Sequence, residues 1–332
     1  MRVPRLAALL AVPALLLGLT ACGDQAARPA ARQDPASFPA VTVDQASDVV
    51  EAVDEAVVAA TTKRDVRLAG KRLTGPAADV FAARARKDTA LRRPLPQAAP
   101  ARTTRLIVPA GSGWPRAVLA VSEVAGVSTP VVRVLRSADA RQPYALWGEP
   151  QMVPGATVPA TAGADSGAPA LPPTAGGLVL SPQDALARYA AVLTAEGSGR
   201  PAADAGRFSA DPLRTQTAAA SAAERKAVAA VAGFGTAHTP VPASTLAWRT
   251  SDGGAIVVGE IRQQTVLTVK PGAGTLRLTG DAAALAPRPE FAQRLVRTTV
   301  EIVVLRVPKA GTGTSAVSLI AADRADVGVA GA

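Results

Sequence analysis

The stretch LAWRTSDGGAIVVGEIRQQTVLTV (residues 246–269) indicates the class of fold. Apolar residues dominate both of its ends, and the Ser-Asp-Gly-Gly segment at 251–254 is a strong turn signal. The pattern therefore predicts two strands, 246–250 and 255–269, that pair through this turn. Further strands of the same kind are predicted at 275–279, 296–307 and 315–321. This part of the chain is expected to form an antiparallel sheet.

The residues before this sheet have the periodicity of helices. Ser181-Pro182 opens a predicted helix that runs to about residue 195, because serine caps helices and proline fits the first helical turn. The Ala-rich residues 209–231 predict one or two more helices. The C-terminal half thus has the order helix, helix and sheet.

The N-terminal half has the same order. Thr42-x-x-Gln45 is a capping-box pattern, and it starts a predicted helix over 42–62. A second helix is predicted from Thr74 to about residue 87. Strands are then predicted at 103–108, 116–122, 131–136 and 144–148.

A segment rich in Pro, Gly, Ala and Thr, 154–177, separates the halves and is interpreted as a linker. The chain has 332 residues, and single cores rarely grow beyond about 250–300 residues. We therefore predict an α+β protein with two tandem domains, 38–153 and 178–332, each with helices packed on a curved antiparallel sheet. This order of elements is similar to that of NTF2-like and cystatin-like folds, in which a sheet wraps a long helix.

The N-terminus, MRVPRLAALLAVPALLLGLTAC, has the features of an export signal. Arg2 and Arg5 precede the apolar residues 6–19, which are too few for a membrane span of about 20 residues but suit a signal peptide. The Leu-Thr-Ala-Cys sequence at 19–22 resembles a lipobox. We expect a signal peptide over 1–21, a lipid on Cys22, a flexible tether over 22–37, and a location on the extracytoplasmic face of the cell membrane. The alternative is an ordinary secretory signal with an incidental Cys22, the only cysteine in the chain.

The charge of the chain is unevenly distributed. The whole sequence carries a formal charge of +10, and residues 63–105 contain twelve basic but only three acidic residues. This segment is either a solvated basic surface or a contact for anionic lipid, a wall polymer or an acidic envelope protein. The candidate contact residues are Arg84, Arg86, Lys87, Arg92 and Arg93. Nucleic acid is not an expected partner, because the export signal separates the protein from it.

Few residues offer catalytic or metal chemistry. His238 is the only histidine, and its surroundings at 235–240 favour an exposed loop over a catalytic role. One histidine and a lipid-bearing cysteine cannot supply the usual zinc ligands, so neither a metal nor another cofactor is predicted. Glu123, Glu260 and Glu301 fall in or beside predicted strands, and Glu260 shares a strand face with apolar residues, so it is a candidate for a sheet concavity.

Two tryptophans are also candidates for sites of contact. Trp248, within a predicted strand, is expected either in the core or in the lining of a small-molecule cleft. Trp114 follows Gly111-Ser-Gly in a predicted turn and is the better candidate for an exposed contact.

The chain as a whole resembles a group of uncharacterised lipoproteins from high-GC Gram-positive bacteria. The resemblance covers most of 38–329 and depends on the lipobox and on the segments 42–45, 180–186, 299–311 and 317–323. It implies an envelope address and a shape, without an enzymatic activity. The predicted function is a non-enzymatic binding or interaction module for an envelope partner. The alternatives are a carrier or sensor of a small apolar ligand in a sheet concavity and, third, an enzyme that uses isolated carboxylates.

Overall fold

In the computed structural model, residues 38–94, 101–313 and 316–332 are described. The α-helices are α1 (Val43–Lys63), α2 (Gly75–Ala90), α3 (Pro182–Gly197), α4 (Pro212–Val228) and α5 (Gly280–Leu285). The strands are β1 (Ala101–Ile107), β2 (Pro109–Ala110), β3 (Arg116–Val124), β4 (Val131–Ser137), β5 (Ala145–Gly148), β6 (Gln151–Met152), β7 (Ala168–Pro169), β8 (Ala232–Pro240), β9 (Leu246–Arg249), β10 (Ala255–Val269), β11 (Leu276–Arg277), β12 (Glu290–Phe291), β13 (Arg294–Val307) and β14 (Ser318–Gly331). The predicted signal peptide, Cys22 and the tether lie outside the described residues. Among the helices that are described, none is both long enough and apolar enough to cross a membrane.

The starts of the longer helices follow the local signals in the sequence. At α1, the Thr42 hydroxyl accepts a hydrogen bond from the Gln45 amide (3.2 Å), and the Gln45 side chain accepts one from the Thr42 amide (3.0 Å). At α3, the Ser181 hydroxyl accepts a bond from the Asp184 amide (3.2 Å). Both predicted helix starts are therefore confirmed. Thr74 precedes α2 as predicted, but its side chain makes no capping bond.

Ten strands form one antiparallel sheet, and the fold is α+β. The order is β1-β3-β4-β6-β14-β13-β10-β8, with β5 paired to β4 and β9 paired to β10. The predicted hairpin of β9 and β10 is confirmed, and the Asp252 side chain accepts a bond from the Gly254 amide (3.0 Å) in its turn. The longest ladder joins β10 to β13, from Ala255 opposite Val307 to Thr268 opposite Arg294.

The sheet contains strands from both predicted domains. We call β1 and β3–β6 the N-terminal strands, and β8–β10, β13 and β14 the C-terminal strands. The two-residue strand β6 joins them, because Gln151 pairs with Val131 on one side and with Ala322 on the other. Beyond Ala322, the described part of β14 continues to Gly331 and pairs with β13 only. The domain boundary at 154–177 stays a prediction.

Apolar side chains from the two groups of strands share one core. Leu119 and Val134 lie in the same hydrophobic cluster as Ile256 and Ile302. The alternate residues of these strands face helices: Val118 and Leu135 pack with α1, whereas Val257 and Val303 pack with α3. The order of layers is therefore α1, N-terminal strands, C-terminal strands and α3.

Two strands differ from the sequence prediction. β8 directly follows the predicted helical segment 209–231 and includes the predicted turn at 235–240, and it pairs with β10 from Pro240 opposite Ile261 to Ala232 opposite Val269. Its small residues and glycines carry a weak strand signal. β14 runs to Gly331 instead of ending at residue 321, because the charged residues after 321 interrupt the apolar pattern without interrupting the pairing.

The two candidate tryptophans provide a test of the shared core. Trp248 is 2% exposed and belongs to the shared cluster, whereas Trp114 is 39% exposed and stacks with Arg116 at 4.3 Å. We expect Trp248→Ala to lower the free energy of unfolding by about 3–5 kcal/mol, because it leaves a cavity between the strands. Trp114→Ala should lower it by only about 0.5–1 kcal/mol. Denaturant unfolding checks both, and equal effects would contradict this account of the core.

Candidate functional site

A groove of about 1160 Å³ lies where β14 leaves the N-terminal strands. We call it the junction groove. Its walls come from the end of α1, from α2, from the region of β4–β6, from β14 and from the start of α4. The apolar lining residues include Val57, Leu73, Ala77, Val80, Phe81, Val131, Leu146, Met152, Leu213, Ile302 and Leu319. The groove therefore combines a large apolar lining with charged residues such as Arg84, Lys87 and Asp323.

The groove meets β14 along its edge. Four consecutive residues of this strand, 322–325, line the groove. Neighbouring residues of a strand point to opposite faces, so a lining run of this kind requires the strand to lie edge-on. The Arg324 amide donates a hydrogen bond to the Asp323 carboxylate (2.8 Å). This bond places the Arg324 amide on the side of β14 that faces away from β13. An edge of β14 without a strand partner among the described residues thus faces the groove.

Three of the five predicted contact residues line the groove. Arg84, Lys87 and Arg93 contribute to its lining, whereas Arg86 and Arg92 do not. Arg86 instead donates a hydrogen bond to the Val327 carbonyl (2.7 Å).

The groove cations have acidic neighbours within the chain. Arg93 forms ion pairs with Asp88 and Asp281, and Lys87 lies 4.0 Å from Asp281. Arg84 lies 4.0 Å from Asp88, and 67% of its side chain is exposed. Only 16% of the Lys87 side chain and 44% of the Arg93 side chain are exposed, so Arg84 is the most accessible of the three predicted contact residues in the groove. Contact with an anionic partner stays a prediction.

Asp323 is an acidic residue of the groove that sequence analysis did not identify. Burial raises the pKa of its carboxyl group, while the Arg324 amide and the charge of Arg84 oppose that rise. The sequence signal for it is weak, because Asp323 follows the predicted end of a strand. Only the pairing of β6 with β14 places it in the groove.

His238 and Glu301 lie together in the interior, which corrects the prediction of an exposed loop histidine. His238 belongs to β8, and its Nε2 atom lies 3.5 Å from a carboxylate oxygen of Glu301. Both side chains are completely buried. Arg324, which lines the groove, lies 3.4 Å from the same Glu301 oxygen. The buried position of His238 follows from the pairing of β8 with β10, which the sequence did not indicate.

The other candidate carboxylates are engaged in ion pairs. Glu260, the candidate for a sheet concavity, is buried, but it does not line the junction groove, and its carboxylate lies 2.7 Å from Arg262. Glu123 is exposed and pairs with Arg102 at 2.5 Å. Within the described ranges, no cluster of three or more His, Cys, Asp or Glu side chains could hold a metal ion.

The family model of a domain of unknown function, DUF8094, matches residues 37–331. The chain therefore belongs to this family, and the match includes both groups of strands and the junction groove. Neither a curated protein nor a solved structure matches the chain.

The half-buried carboxyl group of Asp323 leads to a pH prediction. Because its pKa is raised in the folded state, its ionisation opposes folding as pH rises through that pKa, and the penalty vanishes below the ordinary value of about 3.9. Asp323→Asn keeps an oxygen for the Arg324 amide and removes the charge. We expect this variant to have a higher melting temperature than the wild type at pH 7 and an equal one near pH 3.5.

Thermal unfolding across this pH range checks the prediction. Asp48→Asn, at an exposed position on α1, is the control and should show no such convergence. A lower melting temperature for Asp323→Asn at pH 7 would contradict the assignment.

Proposed function

We propose that this protein is a lipid-anchored, non-enzymatic binding module on the extracytoplasmic face of the cell membrane, and that an envelope partner binds in its junction groove. The volume of the groove is the observation that carries the proposal. At about 1160 Å³ it exceeds the roughly 300–1,000 Å³ of small-molecule pockets, so it has room for a segment of a larger partner. The anchor is inferred from the lipobox and Cys22.

We also infer that the N-terminal and C-terminal strands belong to two tandem NTF2-like or cystatin-like units. Each group of strands has its own long helix, α1 or α3, on its outer face. The backbones of the two groups meet at the short strand β6, next to the predicted linker 154–177. In this arrangement the groove lies between the units, which is a common place for binding sites.

The groove is a better candidate for the partner's binding site than the basic segment 63–105 as a whole. Several cations of that segment are occupied within the chain: Arg105, for example, donates to the carbonyls of Val158 and Pro159 at 2.8 Å. Arg67 pairs with Asp65 at 2.8 Å. Surface ion pairs of this kind reduce the charge available to a partner, whereas Arg84 remains accessible at the groove.

The alternative is a carrier or sensor of a small apolar ligand. The apolar lining of the groove, including Val80, Phe81 and Met152, favours it. The ligand would then occupy the junction groove and not the space between α3 and the C-terminal strands, where Tyr189 and Leu193 are completely buried.

The proposed lipid anchor can be tested at Cys22. Cys22→Ala removes the only thiol that can carry a lipid. We expect the wild type to fractionate with membranes and to carry the added mass of its acyl chains, because two or more chains hold a protein stably at a membrane. The variant should be released after cell lysis at high salt. Membrane retention of Cys22→Ala to the wild-type extent would contradict the proposed anchor.

A matched pair of charge reversals tests the groove. Arg84→Glu changes a groove residue, whereas Arg92→Glu changes an exposed residue of the same predicted basic set outside the groove. We expect cross-linking in cells, followed by mass spectrometry, to recover a partner or ligand with the wild type and with Arg92→Glu. Recovery should fall at least about tenfold with Arg84→Glu, since a charge reversed beside a buried contact costs more than about 1.4 kcal/mol. Equal losses of recovery in both variants would indicate that the partner binds the basic surface as a whole. No loss in either variant would exclude the groove as the binding site.

A further inference from the structure

We infer that the junction groove binds an extended polypeptide segment, which adds to the free edge of β14 beside Arg324 as a further strand. The inference rests on the proposed function, because it names the class of occupant for the same groove. It commits to a peptide segment of a partner protein and not to a lipid.

The backbone of β14 offers hydrogen bonds to such a segment. β6 pairs with β14 only at Ala321 and Ala322, and the described residues beyond have β13 on one side only. An unpaired strand edge is a template for another chain. The Arg324 amide is at present bonded to the Asp323 side chain, which can rotate away when a peptide carbonyl takes its place.

The two walls of the groove suit the alternating side chains of a strand. Val80 and Phe81 of α2 line it together with Ile302, from the layer between the two groups of strands. Leu213 of α4 and Leu319 line it from the opposite face of the C-terminal strands. Because the side chains of an added strand would point alternately to these faces, both walls would receive apolar residues.

The same geometry distinguishes a peptide from an acyl chain. An acyl chain fills apolar walls, but it has no amide, and its single carbonyl at one end cannot match the repeated backbone groups along the edge of β14. It would therefore add no hydrogen bond at this edge, where the Arg324 amide and the Val327 carbonyl would stay bonded to side chains of the same chain. A peptide satisfies both the walls and the edge, so the edge favours the peptide.

The test uses the full chain in detergent micelles and random decapeptides displayed on phage. A selected peptide is kept if its free form competes with the displayed form. Two N-methylated versions are then synthesised, one with methyl groups on the odd-numbered backbone amides and one with methyl groups on the even-numbered amides; we call these the two registers. We expect one register to weaken binding about tenfold or more, because its methyl groups remove the hydrogen bonds to β14. The other register should stay within about twofold, since its amides point away. Amide hydrogen exchange at Arg324 should slow when the unmethylated peptide binds.

A variant of the protein adds a second measurement. Asp323→Ala frees the Arg324 amide, so we expect it to bind the peptide more tightly than the wild type does. Weaker binding would mean that Asp323 itself contacts the peptide, and it would overturn the strand addition.

The outcomes separate this inference from the proposed function. If Arg84→Glu abolishes peptide binding but the two methylated registers bind alike, the groove is the site and strand addition is wrong. If peptides bind and Arg84→Glu has no effect, the groove itself fails as the site. If no peptide is selected while cross-linking recovers a lipid in an Arg84-dependent manner, the peptide inference is overturned and the groove stands.

Discussion

The apolar layer between the two groups of strands is the interaction on which the rest of the structure depends. Large side chains from both groups, such as Trp147, Trp248, Ile256 and Ile302, are buried in it. By contrast, the backbone connections between the groups are short: the two-residue strand β6, and a few hydrogen bonds from the segment 160–171, such as that from the Leu171 amide to the Ala247 carbonyl. Burial of apolar area contributes roughly 25 cal/mol per Å², so the packing of this layer, more than the few ladder bonds of β6, holds the groups together. Gly148 fits the layer closely, since an added Cβ atom would lie 2.9 Å from Ile302.

This layer also determines where the groove opens. β14 must be long on its β13 side to complete the layer, yet β6 covers only a short part of its other side. The uncovered edge of β14 could pair with strands of other molecules, but side chains of the same chain occupy two of its backbone groups. Asp323 accepts the hydrogen bond of the Arg324 amide, and Arg86 donates to the Val327 carbonyl. Such devices are typical of exposed strand edges. Because side chains and not another strand occupy these backbone groups, a binding partner can displace them reversibly.

The parts of the fold that depend on local signals were predictable from the sequence. The capping residues Thr42 and Ser181 mark their helices, and the strand predicted at 255–269 has the bounds of β10. β8 was missed because Gly, Ala and Thr residues become a strand only when β10 supplies the pairing. The burial of His238 follows from that pairing, so the sequence alone could not predict it. Asp323 and Arg324 were missed for a similar reason, since residues near 151 and 322 meet only through long-range contacts.

The charges of the chain argue for recognition by shape and backbone more than by net charge. The sequence has an excess of basic residues, but Arg93, Arg102 and Arg214 are paired with acidic side chains of the same chain. The proposed lipid anchor reduces the affinity that recognition requires, because tethering at a membrane raises the effective concentration of an envelope partner. Under that condition a few backbone hydrogen bonds and two apolar walls suffice for a selective, reversible contact. A strand edge that the chain itself caps, as Asp323 does, suits a contact that must form and release.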